Sequence, residues 1–325
     1  MNTAVDPKGA KLTIVPGNPA PEGTRVGYFK TADGIQLRYA TWPRGSAQPR
    51  GTVCLVQGRT EFIEKYFETV TDFQKRGFAV ATFDFRGQGG SERLVSNRRL
   101  GYVDRIEDYW LDLRDFHRQI LLPECPPPYY LVAHSMGGLV ALQAAQRDRL
   151  MFDRILISAP MVGFDRLPMS VSNCARLAEF LCFLGMGQMP MGRRDDQLPS
   201  AIPFEANVVT SDRRRYKRMV DTLRADHSLE IGRPSVRWVA AAMRAIEATL
   251  RDDFATSLKI PVLMLAAARD SVVSTNAIEA LGLRLRTGRH AVIATAKHEL
   301  FMEDDDVRSQ VFAAVDAFIT YPTDL

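Results

Sequence analysis

Residues 129–138 read YYLVAHSMGG, an apolar run that ends in histidine, serine, methionine and two glycines. A serine hydroxyl attacks a carbonyl only when a neighbouring base takes its proton. This run offers the right place for such a hydroxyl. A strand must turn abruptly into a helix, which forces Ser135 onto a strained tip. The small residues Ala133 and Gly137 on either side let the adjoining backbones approach. Such an elbow usually has glycine at the first small position; alanine adds one methyl and keeps the turn feasible. The helix that begins at the tip favours negative charge developing beside the hydroxyl.

The base can be found by elimination, because the chain has only five histidines. His134 sits beside the serine and should point away. His117 lies in a helix before the elbow, His227 in a long helical segment, and His290 at the start of a strand. His298 follows the last strand, where a loop returns to the carboxyl ends of the sheet. Asp270 directly follows the strand over residues 261–267, again at a carboxyl end. The order Ser135, Asp270, His298 gives nucleophile, orienting acid and base. Two backbone donors are needed for an oxyanion. The N–H of Met136 is one, and the N–H of Arg59, in the QGRTE loop after a buried strand, is the other. This chemistry requires no metal and no cofactor.

The elements that must position these groups follow a regular rhythm. Residues 25–31 and 35–42 read as a hairpin around Asp33-Gly34. Buried strands are expected at 52–56, 78–83, 129–133, 152–158, 261–267 and 290–295. Helices are expected at 61–76, 106–121, 136–146, 276–285 and 306–319. Eight strands alternating with helices predict an α/β protein with a mostly parallel sheet covered on both faces. The rhythm breaks between 160 and 259, where helical spacing appears at Leu177, Phe180, Leu181 and Leu184 and again at Tyr216, Met219, Val220 and Leu223. The expected organisation is a flexible segment at 1–23, core at 24–159, a helical cap at 160–259 inserted after the sixth strand, and core again at 260–325.

With these residues placed, the chain resembles α/β-hydrolases of the monoacylglycerol lipase and bacterial lysophospholipase group, also classed with serine aminopeptidase-like hydrolases. The resemblance spans about residues 24–320. It is carried by QGRTEFIEKY (57–66), similar to a G-R-x-E-x-x-x-K-Y loop of bacterial lysophospholipases, by DFRGQGGS (84–91), and by AHSMGG (133–138). Monoglyceride lipases begin the first loop with His-Gly, and this chain has Gln57 there. The resemblance implies the α/β-hydrolase fold and the same roles for Ser135, Asp270 and His298. Glu61 and Arg86 are expected to brace loops through ion pairs.

The expected reaction is cleavage of one acyl ester from a lysophospholipid or monoacylglycerol through an acyl-enzyme. A small-ester carboxylesterase, an aminopeptidase-like amidase and a non-catalytic binding protein are the alternatives. Seven of the twelve methionines lie in the cap segment, and adaptable apolar side chains suit an acyl chain. Phe180, Phe183, Met186 and Met189 are therefore the expected substrate contacts. The basic run 213–218 is expected to be a solvated helix face rather than a headgroup or membrane site.

At 325 residues and 36.4 kDa, with 46% hydrophobic and 25% charged residues, the chain excludes disordered and fibrous classes. No apolar run is long enough to span a bilayer. The polar start lacks a secretory pattern, and four scattered cysteines form no disulfide framework, so a cytoplasmic protein is expected, with peripheral membrane contact through the cap. A net charge of +4 spread along the chain gives no nucleic-acid footprint. Nothing in the sequence specifies an oligomeric state.

Overall fold

A computed structural model describes residues 9–45, 47–192 and 198–320. Its eight strands are β1 (Arg25–Lys30), β2 (Gln36–Trp42), β3 (Thr52–Val56), β4 (Ala79–Phe83), β5 (Tyr129–His134), β6 (Arg154–Ser158), β7 (Val262–Ala267) and β8 (Gly288–Ile293). They form one sheet in the order β1-β2-β4-β3-β5-β6-β7-β8. The two pairings at the β1 end are antiparallel and the remaining five are parallel. β3, β4 and β6 are buried at every position. A strand covered on both faces has no polar side, which is why these read as unbroken apolar runs.

This order creates the crevice that holds the site. From β3 the chain steps to β4 on one side, and later to β5 on the other. A doubly wound sheet binds its ligand where the order reverses, outside the carboxyl ends of the strands. The pairs Val56↔Ala133, His134↔Ser158 and Ala267↔Ile293 keep those ends level. The loops after β3, β5, β7 and β8 therefore emerge along one rim.

Helices follow the expected rhythm, with two local departures. The helix expected from residue 61 opens as a tight turn, Ile63–Tyr66, and becomes α1 only over Phe67–Lys75. Glu61 and Lys65 turn inward to each other instead of lying on a helix surface. The second departure is the run after α2 (Ile106–Phe116), which widens into a π-helical turn, His117–Leu121, before α3 (Leu122–Glu124). Pro123 has no N–H to return to the carbonyl four residues earlier, so a regular ladder cannot continue there. α4 (Met136–Arg147), α9 (Thr275–Arg284) and α10 (Asp305–Thr320) complete the layers on the sheet.

The segment 9–23 departs from the expectation of a flexible lead. Ala10, Leu12 and Val15 are buried. The backbone N–H of Thr13 donates to Glu64 at 2.9 Å, and the Asn18 amide donates to the Glu64 carbonyl at 2.9 Å. Three apolar side chains among prolines and glycines are enough to dock it. Residues 1–8 lie outside the described residues.

Between β6 and β7 the described residues add no strand to the sheet. The segment forms α5 (Val171–Phe183), α6 (Arg213–Ala225), α7 (Val236–Leu250) and α8 (Asp252–Ser257). The stripe on α6 is buried as its spacing predicts, with Tyr216, Met219, Val220 and Leu223 packed with Phe62 and Leu229. On α5 the outcome is reversed. Ala175 and Ala178 are the buried residues, whereas Leu177, Phe180, Phe183 and Leu184 are exposed. Ala178 packs with Val236 and Ala240 of α7. Small side chains let the two helices approach closely, which turns the large apolar ones outward.

The basic run is neither a free patch nor a wholly solvated face. Arg215 is buried and pairs with Glu68 of α1, Asp212 and Asp305, and Arg218 also reaches Glu68. Arg213 pairs with Glu205, and Lys217 with Asp221. The buried half of the run ties the helical segment to the core.

Candidate active site

Ser135 occupies the tip between β5 and α4 with φ 50° and ψ −114°. A non-glycine residue in that region stores about 1–3 kcal/mol of strain and persists only where its surroundings over-determine it. Here the Ser135 N–H donates to the Ser158 carbonyl at 3.0 Å, and its own carbonyl accepts from Met161 at 3.0 Å. The neighbouring glycines explain themselves by contact. A Cβ on Gly137 would lie 2.4 Å from the Gln57 carbonyl oxygen, and one on Gly138 would lie 2.3 Å from a methyl carbon of Ile157. Ala133 is accommodated as a fully buried strand residue.

The structure brings the three separated side chains together. His298 Nε2 lies 3.0 Å from Ser135 Oγ, and His298 Nδ1 lies 2.7 Å from Asp270 Oδ2. The other carboxylate oxygen of Asp270 accepts the N–H groups of Val272 and Val273 at 2.8 and 3.0 Å. Burial alone would raise the Asp270 pKa, but the His298 hydrogen bond and charge and the two amides outweigh it and hold it below the usual carboxylate value. An ionised carboxylate on Nδ1 leaves Nε2 facing the hydroxyl as an acceptor, the arrangement needed to remove its proton. His134, excluded on sequence grounds, turns back to Ser158 at 3.1 Å; burial pushes its pKa down to about 4, so it is neutral around pH 7 and charged only in acid.

Behind the serine lies a buried charged cluster. Glu61 accepts the Lys65 ammonium at 2.6 Å, the Tyr66 hydroxyl at 2.8 Å and the N–H of Gly58. Lys65 also meets Glu299 at 2.6 Å. Burial works against ionising Glu61, yet Lys65, His134 and the Gly58 amide bring its pKa down to about 2. Glu299 goes the other way: burial, with Glu61 nearby, raises it despite Lys65. The cluster fastens the loop after β3 to the residue next to His298. Gln88 adds a hydrogen bond to the Gly58 carbonyl at 2.8 Å.

Glu61 and Arg86 both brace loops, with separate partners. Arg86 pairs with buried Asp112 at 2.6 Å and with Asp33 at 2.7 Å. In the same turn, Asp84 holds Arg38 and accepts from Ile63 and Gly90. Among the described residues, no group of His, Cys, Asp and Glu side chains is arranged to hold a metal ion, and the four cysteines are free.

A cavity of about 540 Å³ opens over Ser135 and His298. Its apolar wall comes from Met161, Phe164, Leu167, Trp238, Val239 and Met243, with Val272 and Val273 beside Asp270. Phe180, Phe183, Met186 and Met189, the expected substrate contacts, do not line it. Phe183 is 86% exposed, because the packing of α5 on α7 points it away from the crevice. The wall is built instead by the loop after β6, with Met161, Phe164 and Leu167, and by α7. The signal of α7 in the sequence is Trp238, Val239 and Met243 interleaved with alanines, a helix able to lie close over the rim.

The sequence pattern of the family described as serine aminopeptidase, S33 (Hydrolase_4) matches residues 47–305. The chain is 32% identical over 304 residues to lysophospholipase L2 of Escherichia coli K12, covering 88% of this chain and 85% of that protein. It is 26% identical over 190 residues to the monoglyceride lipase of Rattus norvegicus, 57% of this chain and 58% of that one. A soluble variant of the Saccharomyces cerevisiae monoglyceride lipase, solved with a substrate analogue, has the same fold at a TM-score of 0.70 and 20% identity, with 91% of this chain and 95% of that chain covered. The elbow, the sheet order and the family match lead to one assignment: this chain belongs to the serine aminopeptidase S33 family of α/β-hydrolases.

Proposed function

We propose that the protein cleaves the acyl ester of a lysophospholipid or monoacylglycerol through an acyl-enzyme on Ser135. The broader class, an ester-hydrolysing α/β-hydrolase, is that of its family. The observation that carries the finer reading is the 3.0 Å contact between His298 Nε2 and Ser135 Oγ at the floor of an apolar cavity. His298 takes the hydroxyl proton as Ser135 attacks the carbonyl, and Asp270 stabilises the imidazolium that forms. The oxyanion is received by the N–H of Met136 and the N–H of Arg59. Met136 is the first residue of α4, so its N–H has no carbonyl a turn behind it. His298 then protonates the leaving glycerol oxygen, and water releases the fatty acid by the same route in reverse.

The acyl chain lies along Trp238, Val239 and Met243. The cavity is of the size that buries a small flexible ligand, and the name lysophospholipase attached to the Escherichia coli relative supports the lipid class. The exposed row Leu177, Phe180, Phe183 and Leu184 on α5 supports peripheral contact with a lipid surface. None of the described helices is long and apolar enough to cross a membrane.

The test is a substrate panel of lysophosphatidylcholine, monoacylglycerol, short p-nitrophenyl esters and aminoacyl arylamides. The long-chain esters are expected to give the highest kcat/KM. A preference for arylamides would overturn it, and a preference for short esters would assign a small-ester carboxylesterase.

A further inference from the structure

Arg59 carries a charge that the described residues leave unneutralised. Its neighbour Gly58 lies against the nucleophile: a Cβ there would fall 3.2 Å from Ser135 Cβ. The Arg59 side chain lines the cavity and lies over the Trp238 ring, with Cζ 5.3 Å from the centroid. Nη2 donates to the Gly232 carbonyl. Nε is shut off from solvent without a partner, and among the described residues none takes a hydrogen bond from Nη1. The backbone has been kept clear for the group, because a Cβ on Gly101 would sit 2.7 Å from Nη2.

Arg59 is half-buried, and the contrast with three fully buried arginines is direct. Arg38 holds Glu64 and Asp84, Arg86 holds Asp112 and Asp33, and Arg215 holds Glu68, Asp212 and Asp305. For Arg59 no carboxylate of the described residues is within ion-pair distance. Burial lowers its pKa to about 10, with only the Tyr109 hydroxyl opposing. A cation drawn partly out of water is normally paired, because desolvation without a counter-charge is costly. Where none of the described carboxylates pairs with a guanidinium beside a cavity, a bound anion can. The planar fork of a guanidinium fits phosphate oxygens.

We propose that Arg59 is the anion-recognition residue of the cavity, and that its guanidinium receives the phosphodiester of a lysophospholipid while the acyl ester lies at Ser135. An arginine side chain and a glycerol-phosphate unit are of similar reach, so one residue serves both ends: its backbone faces the ester and its side chain the headgroup. The inference rests on the lipid-ester reading and deepens it, because it selects lysophospholipid over neutral monoacylglycerol.

The experiment compares lauroyl-lysophosphatidylcholine with monolaurin in wild type, Arg59→Met and Arg59→Lys. In Arg59→Met the ratio of the two kcat/KM values falls about tenfold or more, chiefly through KM for the phospholipid, and Arg59→Lys recovers part of it. A ratio within about twofold of wild type in Arg59→Met would overturn the proposal and leave Arg59 as a tie between loop and cap. A second readout does not need lipid turnover. Dodecylphosphocholine, which carries no ester, slows fluorophosphonate labelling of Ser135 more than dodecyl maltoside does in wild type, and this advantage is lost in Arg59→Met. Equal protection of both proteins would contradict the anion site, and equal protection by inorganic phosphate would contradict the lipid headgroup. If wild type hydrolyses neither laurate ester, the lipid-ester function fails, while the labelling experiment still decides whether Arg59 binds the anion.

Discussion

The carboxylate of Glu61 folds back onto the backbone N–H of Gly58, three residues earlier in the same loop. One acidic side chain thus shapes the turn that carries Arg59, whose N–H is the proposed oxyanion donor, and Lys65 and Glu299 anchor it from behind. Preorganised donors contribute to rate because they need not reorganise when charge appears. Under the proposed oxyanion hole, Glu61 is expected to be a positioning residue that acts through the loop.

Glu61→Gln keeps an oxygen for Gly58 but turns an NH₂ toward the Lys65 ammonium. In this variant kcat should fall about tenfold to a hundredfold with a much smaller change in KM, since the loss is of transition-state stabilisation. Steady-state kinetics on a soluble ester measure this split. An unchanged kcat would mean that the loop holds its shape without the carboxylate.

The elbow glycine allows a stability prediction. Gly137→Ala places a methyl 2.4 Å from the Gln57 carbonyl oxygen and 2.9 Å from that of Val56, both backbone atoms that cannot swing aside. A loss of about 1–3 kcal/mol is expected, as for other overpacked sites, read from urea unfolding. Gly187→Ala, whose new Cβ would meet its nearest neighbours at an ordinary 3.7 Å, should lose far less.

Much of the site was legible from residue types because the chemistry is local to strand ends. An apolar run ending in A-H-S-M-G-G admits few conformations, and elimination among five histidines left His298. The wall of the cavity was not legible in the same way. Helical spacing identifies a stripe but not the partner that covers it. On α6 the stripe faced the core, whereas on α5 Ala175 and Ala178 set the approach to α7 and turned Phe180 and Phe183 outward. The paired state of the basic run was hidden for a similar reason: Glu68, the carboxylate that binds Arg215 and Arg218, lies 147 residues before the first of them.

That pairing gives a pH dependence. Burial would raise the pKa of Glu68, but hydrogen bonds from Arg215 and Arg218 and the charge of Arg308 outweigh it and hold it at about 2, below the ordinary 4.5. A carboxylate with a depressed folded pKa stabilises fully above its unfolded value and loses that contribution as pH falls through the folded one. Thermal melts between those two pH values should show wild type losing its advantage over Glu68→Gln as acid is added. A constant difference across the window would mean that the pair does not link helix to core.

The outward face of α5 predicts a difference between substrate forms. Phe183→Asp should slow hydrolysis of lysophospholipid presented in anionic vesicles while leaving a soluble p-nitrophenyl ester unaffected, because an exposed apolar row contributes by partitioning into the lipid surface. Parallel rate measurements on the two substrates, with vesicle flotation, check it. Equal rates for both proteins on vesicles would remove the membrane role.

The central claim is that Ser135 becomes covalently acylated with His298 as its base. Intact-mass and peptide mapping after treatment with a long-chain fluorophosphonate test it most directly. One adduct is expected, on the peptide containing Ser135, absent in Ser135→Ala and formed far more slowly in His298→Ala. An adduct that persists in Ser135→Ala, or forms as fast without the imidazole, would contradict it.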